Sequence, residues 1–153
     1  LLALLPQEKR VALVAVVYST LAVLMVVVLG FIAFFYALDA LYSDRRDRSV
    51  LFWKSLPLSD TETVLSKLVV AAIVIPLVAF AASLAAQLVV AIGGSVKLAL
   101  AGLPGGMMWD PRALLAGASS ALLICVVSVL WYSPLVAYLL LASAWAPRAP
   151  FLW

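Results

Sequence analysis

The stretch from Val11 to Leu38, VALVAVVYSTLAVLMVVVLGFIAFFYAL, runs for 28 residues without a charged side chain. As an α-helix it would be about 42 Å long, whereas the hydrocarbon core of a bilayer is about 30 Å thick. Two further uncharged runs follow, at 68–92 and at 113–147. Each of them is also long enough to cross a membrane as a helix.

The composition of the whole chain agrees with this pattern. Hydrophobic residues make up 67% of the chain and charged residues 11%, with a mean hydropathy of +1.22. Soluble domains have about 45–50% apolar and about 25% charged residues. The sequence therefore predicts an all-α integral membrane protein, a polytopic transmembrane helix bundle in a single domain over 1–153. The predicted spans lie at 11–42, 68–92 and 113–146. The absence of an initial methionine and the apolar end predict an internal fragment of a longer protein.

Prolines and glycines divide the apolar runs. Pro76 is expected to bend or locally break the second helix because proline cannot donate the helical hydrogen bond. Ser133–Pro134 interrupts the third run, and we expect one kinked helix since a second piece would be too short to cross. Segment 93–112 has five glycines and two prolines, which predicts a connecting loop.

Several classes of function are disfavoured by what the sequence lacks. With one cysteine and no histidine, a metal centre is not expected, and Cys125 is interpreted as a small packing residue. The phosphate-loop pattern G-x-x-x-x-G-K-[ST] does not occur. A net charge of +3, divided between the two sides of a membrane, does not indicate nucleic-acid binding. We therefore predict no catalytic, cofactor or metal residues in this chain.

Nine of the seventeen charged residues fall in the segment Ser43–Lys67, SDRRDRSVLFWKSLPLSDTETVLSK. It carries five of the ten basic residues, so the positive-inside rule places it in the cytoplasm and segment 93–112 outside. The spacing predicts a short amphipathic helix over 47–56, ended by Pro57. Its apolar ridge would consist of Val50, Phe52, Trp53 and Leu56, with Leu51 as an apolar exception on the other side. By itself, this segment also fits solvated charges and aromatic residues at a membrane boundary.

The helix after this segment has a predicted N-terminal cap. Ser59 followed by Glu62 forms a capping-box pattern, with Ser59 as the N-cap. Two other polar residues, Asp39 and Gln87, are candidates for an intramembrane polar site. For Asp39 we favour a structural role, because its position near the helix end lets it reach headgroups, Arg45 or Arg46. Gln87 could form a hydrogen bond across helices.

The segment LYSDRRDRSVLFWKSLPLSDTETVLSK resembles the cytoplasmic loop of bacterial ABC-2 type transporter permeases. Residues of this sequence that match the family pattern are Arg48, Ser49, Leu51, Leu56, Pro57, Ser59 and Lys67. The later stretch WYSPLVAYLLLASAWAPRAPFLW is also similar to a branch of this family. Trp53–Lys54 departs from the plainer residues of the wider family.

The resemblance implies a permease subunit of an ATP-driven exporter in the bacterial cytoplasmic (inner) membrane. Such a subunit works as a permease dimer surrounded by lipid, and ATP and Mg²⁺ bind to a separate nucleotide-binding ATPase subunit. The short helix would then be the coupling helix that docks on the ATPase. The partner-binding residues implied in this way are Arg45, Arg46, Arg48, Val50, Phe52, Trp53, Lys54 and Leu56.

Two other functions are weighed against this one. A membrane anchoring or assembly protein could also recruit a soluble partner through the charged segment. An ion-coupled carrier is disfavoured, because only Asp39 and Gln87 offer polar chemistry near the bilayer interior.

Overall fold

In the computed structural model, the described residues are 5–54 and 59–146, apart from the side chains of Val50, Trp53 and Lys54. Every regular element among the described residues is helical. In chain order they are α1 (Gln7–Arg46), α2 (Ser49–Lys54), α3 (Asp60–Val69), a π-helical turn (Val70–Val74), α4 (Ile75–Leu100), a 3₁₀ turn (Gly105–Trp109) and α5 (Pro111–Trp145).

Three of the described helical stretches are long and apolar enough to cross a membrane. They are α1, the stretch Asp60–Leu100 that contains α3 and α4, and α5. This confirms the predicted all-α fold with three long apolar helices. The short helix α2 is present at Ser49–Lys54.

The second long helix changes its winding next to Pro76. A π-helical turn occupies Val70–Val74, and the N–H of Ile75 donates to the carbonyl of Val70. Proline has no N–H to give to the preceding turn, and a π-turn is one way for a helix to absorb that loss. The predicted local break therefore takes the form of a wider helical turn.

The predicted loop 93–112 is wrong over its first eight residues, because α4 continues to Leu100. A side chain at Gly94 would contact Met108, with a Cβ only 3.1 Å from its Cε, so this glycine lets the connection pack closely on the helix. Gly102, two residues after the end of α4, has a φ of +70° and terminates the helix. The amides of Gly102 and Leu103 donate to Ala99 and Leu98, which is the Schellman pattern of a helix end.

The third long helix is one continuous element, as the sequence predicts. Asp110 precedes it, and Asp110 Oδ1 accepts the N–H of Arg112 at 2.9 Å. Pro134 lies inside the helix and leaves the carbonyl of Leu130 without its usual amide donor. The hydroxyl of Ser133 donates to that carbonyl at 2.9 Å, so the polar group freed by the proline is satisfied within α5.

The helices pack in two compact units. The first contains 1–27 and 78–127, and its core is built from Val14, Tyr18, Ala91 and Ala113. The hydroxyl of the fully buried Tyr18 donates to the carbonyl of Met108 at 2.7 Å. Small residues let the helices of this unit approach closely. Close packing matters here because the hydrophobic effect does not drive helices together in lipid.

The second unit contains 28–77 and 128–153. Parts of α1, the π-helical turn and α5 pack around a core that is mainly alanine and leucine. The core residues are Ala37, Leu38, Ala40, Ala71, Val136, Leu139 and Leu140. The charged segment between α1 and α3 belongs to this unit.

Candidate partner-docking site

The backbone of the charged segment turns sharply after α1. Helix α1 ends at Arg46, and Arg48 has a φ of +58°, a conformation common at the ends of helices but costly for residues other than glycine. Helix α2 begins at Ser49, whose hydroxyl donates to the carbonyl of Asp44 at 2.9 Å. The predicted short helix is thus present, but it starts two residues later than expected because Asp47 and Arg48 form the turn.

Helix α2 exposes apolar side chains. Leu51 is 68% and Phe52 is 63% exposed. The sequence placed Leu51 apart from the apolar ridge, yet it is as accessible as Phe52. The side chains of Val50, Trp53 and Lys54, and all of Leu56, lie outside the described residues.

The basic residues of the segment have different surroundings. The guanidinium of Arg46 pairs with Asp47 at 3.1 Å and lies 5.9 Å from the ring centroid of Tyr42. The hydrogen bond that Arg46 donates to the Asp47 carboxylate raises the pKa of Arg46 above its ordinary value. Arg48 is exposed.

Arg45 is bound to another helix. Its guanidinium donates to the carbonyls of Ser143 and Ala146, at 2.5 and 3.1 Å, where α5 ends. The last carbonyls of a helix have no intrahelical donor and carry partial negative charge. The backbone amides of Leu41 and Tyr42 also donate to the hydroxyl of Ser143, both at 3.0 Å. Sequence reasoning missed these contacts because they join residues about a hundred positions apart.

A second connection joins α1 to α3. Lys67 Nζ lies 3.1 Å from Asp44 Oδ2, and their side chains are only 26% and 19% exposed. The contact is ionic without the alignment of a hydrogen bond. This pair lies in an open groove of about 560 Å³. The groove is lined by Tyr36, Asp44, Glu62, Thr63, Ser66, Lys67 and Val70.

The predicted capping box is confirmed. Ser59 Oγ accepts the N–H of Glu62 at 3.2 Å, and the Glu62 carboxylate accepts the N–H of Ser59 at 2.7 Å. Hydrogen bonds from the backbone and the hydroxyl of Ser59 lower the pKa of Glu62 below its ordinary value. The capping box therefore fixes the residue at which α3 begins.

The two candidates for an intramembrane polar site have different surroundings. Asp39 is exposed on α1. The ion pairs between described residues are Arg46 with Asp47 and Lys67 with Asp44, and Asp39 is in neither of them. Gln87 is 3% exposed, and its Nε2 has no hydrogen-bond partner among the described residues. The amide nitrogen of Gln87 therefore makes no hydrogen bond across helices within the part of the chain that the structure describes. No group of three or more potential metal ligands occurs in the described part of the chain.

Together, three long apolar helices and one charged connection between the first two define a multi-pass helical membrane protein. The sequence profile of the family described as ABC-2 family transporter protein matches residues 11–109. The match covers nearly all of α1, the entire charged segment, α3, α4 and the 3₁₀ turn. The chain belongs to the ABC-2 transporter family and is a permease component of an ABC transporter. Comparison with curated proteins and with solved structures gives no match.

Proposed function

We propose that this chain belongs to the permease subunit of an ATP-driven exporter in the bacterial inner membrane. In this proposal the permease acts as a dimer, and a separate nucleotide-binding subunit hydrolyses ATP. The segment Ser43–Lys67, the docking loop, docks on that subunit through α2, and closure of the ATPase moves the membrane helices. Family membership supports the permease role, and the loop supports the docking role.

The observation that carries the proposal is the exposure of Leu51 and Phe52 on α2. Both apolar side chains are more than half exposed, although they lie in the most highly charged segment of the chain. Binding energy at interfaces is concentrated in a few apolar and aromatic anchors enclosed by a polar rim. Phe52 and Leu51 would provide such an anchor, with Arg46 and Arg48 at the rim.

The charges of the segment favour a protein partner over a lipid surface. Acidic and basic residues are interleaved from Asp44 to Arg48, and Arg46 already has Asp47 as its partner. Acidic residues weaken attraction to anionic lipids, which increases with the number of nearby basic residues. Mixed charges around an apolar anchor set the orientation of a docked protein.

The proposal can be tested with the full-length permease and a candidate ATPase subunit. The variants are Phe52→Ala and Trp53→Ala, and the matched control is Leu100→Ala. Leu100 is 84% exposed and lies in the segment predicted to be on the other side of the membrane. Losing an aromatic anchor costs about 2 kcal/mol or more, or roughly a thirtyfold weaker affinity.

Co-purification and ATP hydrolysis are measured for each variant, with folding checked by size-exclusion chromatography. We expect Phe52→Ala and Trp53→Ala to lose the ATPase subunit or its permease-dependent activity, while Leu100→Ala keeps both. If both loop variants bind and stimulate the ATPase as wild type does, α2 is not the docking element. If wild type binds no ATPase, the anchoring or assembly function is favoured instead.

A further inference from the structure

The last turns of α1 are tied to the end of α5 by four hydrogen bonds. Two run from the guanidinium of Arg45 to the carbonyls of Ser143 and Ala146, and two run from the amides of Leu41 and Tyr42 to Ser143 Oγ. This set of contacts is called the clasp. It binds the part of α1 from which the docking loop emerges to a helix far away in sequence.

The contacts of the clasp depend on the relative position of α1 and α5. Ser143 is fully buried, and its one hydroxyl oxygen accepts from two successive amides of the neighbouring helix backbone. The bonds from Arg45 are charge-assisted and reach carbonyls at the negative end of α5. Sliding or rotation of one helix against the other would break these bonds together.

The same turn of α1 is also held on α3. Asp44 pairs with Lys67 on α3, and its neighbour Arg45 pairs with α5. Two adjacent residues thus connect one helix end to two others. Only two residues separate the end of α1 from α2, so a force on α2 reaches this turn directly.

We propose that the clasp makes α5 move with the docking loop, so that Ser143 and Arg45 transmit the action of the docked subunit to a third helix. This inference rests on the proposed function, because it requires a partner on α2. In this account Ser143 is a positioning residue, which acts through α1 and cannot contact a partner because it is buried.

Ser143→Ala in the full-length permease separates transmission from docking. It removes the shared acceptor of Leu41 and Tyr42 and leaves the surface of the loop unchanged. The matched control is Ser119→Ala, because Ser119 is an exposed serine of α5 whose hydroxyl bonds to Ala116 of its own helix. Alanine is small and favours helices, so both variants should fold.

Three readouts are taken: amide hydrogen exchange at Leu41 and Tyr42, the affinity for the candidate ATPase subunit, and stimulation of its ATP hydrolysis. For Ser143→Ala we expect exchange to become roughly threefold to tenfold faster, as for loss of one hydrogen bond. The affinity should stay within about twofold of the wild-type value, while stimulation of ATP hydrolysis falls. Ser119→Ala should match wild type in all three.

The possible failures are distinct. Unchanged exchange in Ser143→Ala would show that the clasp does not hold α1. Faster exchange with full stimulation would show that the clasp carries no motion of the docked subunit. Either result overturns this inference and leaves the proposed function standing, whereas a wild-type permease that binds no ATPase overturns both.

Discussion

Gly117 of α5 packs against Tyr18 of α1 and Gln87 of α4 in the first unit, and replacing it by alanine tests that packing. A Cβ at this position would lie 2.7 Å from Tyr18 Cβ and 3.1 Å from Gln87 Nε2. Carbon atoms in contact are normally about 3.5–4.0 Å apart, so the new methyl group is about 0.8 Å too close. Tyr18 cannot move away easily, because it is fully buried and its hydroxyl is bound to Met108.

Two opposing terms set the size of the effect. Overpacking a closely packed site costs about 1–3 kcal/mol, while alanine in a helix is better than glycine by about 0.5–1 kcal/mol. We expect Gly117→Ala to lower the free energy of unfolding by about 1–2 kcal/mol. For a chain of this size, that corresponds to a Tm lower by roughly 2–8 °C.

The assay is thermal unfolding in detergent, followed by circular dichroism. The matched control is Gly93→Ala, because a Cβ at Gly93 in α4 meets no atom within 4 Å. This control should keep or raise the Tm through helix propensity alone. A Gly117→Ala variant as stable as Gly93→Ala would refute the close approach of the three helices at this point.

Three further predictions concern the charged segment. The pKa of Glu62 is lowered from 4.5 by the hydrogen bonds it accepts from Ser59, so the cap should stabilise α3 above pH 4.5 and stop doing so as the pH falls through the lowered pKa. The protection factors of the amides in the first turn of α3, which correct for the intrinsic pH dependence of exchange, should fall there, and Glu62→Gln should remove the pH step. Arg48→Gly should raise the Tm, because glycine adopts the left-handed backbone conformation of position 48 without the penalty of about 1 kcal/mol that other residues have there. Arg48→Ala keeps that penalty and should not raise the Tm, and equal effects of the two substitutions would contradict the prediction. Asp44→Asn and Lys67→Met should each lower the free energy of unfolding, measured by chemical denaturation, by about 1–3 kcal/mol, a value between those for an exposed and a buried ion pair. The double variant should lose less than the sum of the two single losses, and additive losses would mean that the two residues are not coupled.

Much of the fold follows from local features of the sequence. Uncharged runs longer than a bilayer predict the long helices, and the Ser59 and Glu62 pattern predicts the start of α3. These predictions hold because hydrophobicity and capping depend on residues close together in the chain. The continuity of α5 through Pro134 was also predictable, because the part of the apolar run that follows Pro134 is too short to form a second span.

Other features depend on contacts that no local pattern contains. The end of α4 was predicted too early because two glycines resembled the start of a loop, whereas Gly94 serves the packing of Met108. Arg45 was predicted at the rim of a partner site, and the structure places its guanidinium on the carbonyls of Ser143 and Ala146. This contact forms only when folding brings the ends of α1 and α5 together, so the spacing of residues in the sequence does not reveal it.

The docking of α2 on an ATPase subunit is the central claim, and site-specific photo-cross-linking tests it most directly. A photoreactive amino acid is placed at Leu51 or at Leu100 of the full-length permease, in membranes that contain the candidate ATPase subunit. Both positions are highly exposed, so the probe replaces an accessible side chain in each case. We expect a cross-link to the ATPase from position 51 and none from position 100. No ATPase adduct at position 51, or equal adducts at both positions, would contradict the account.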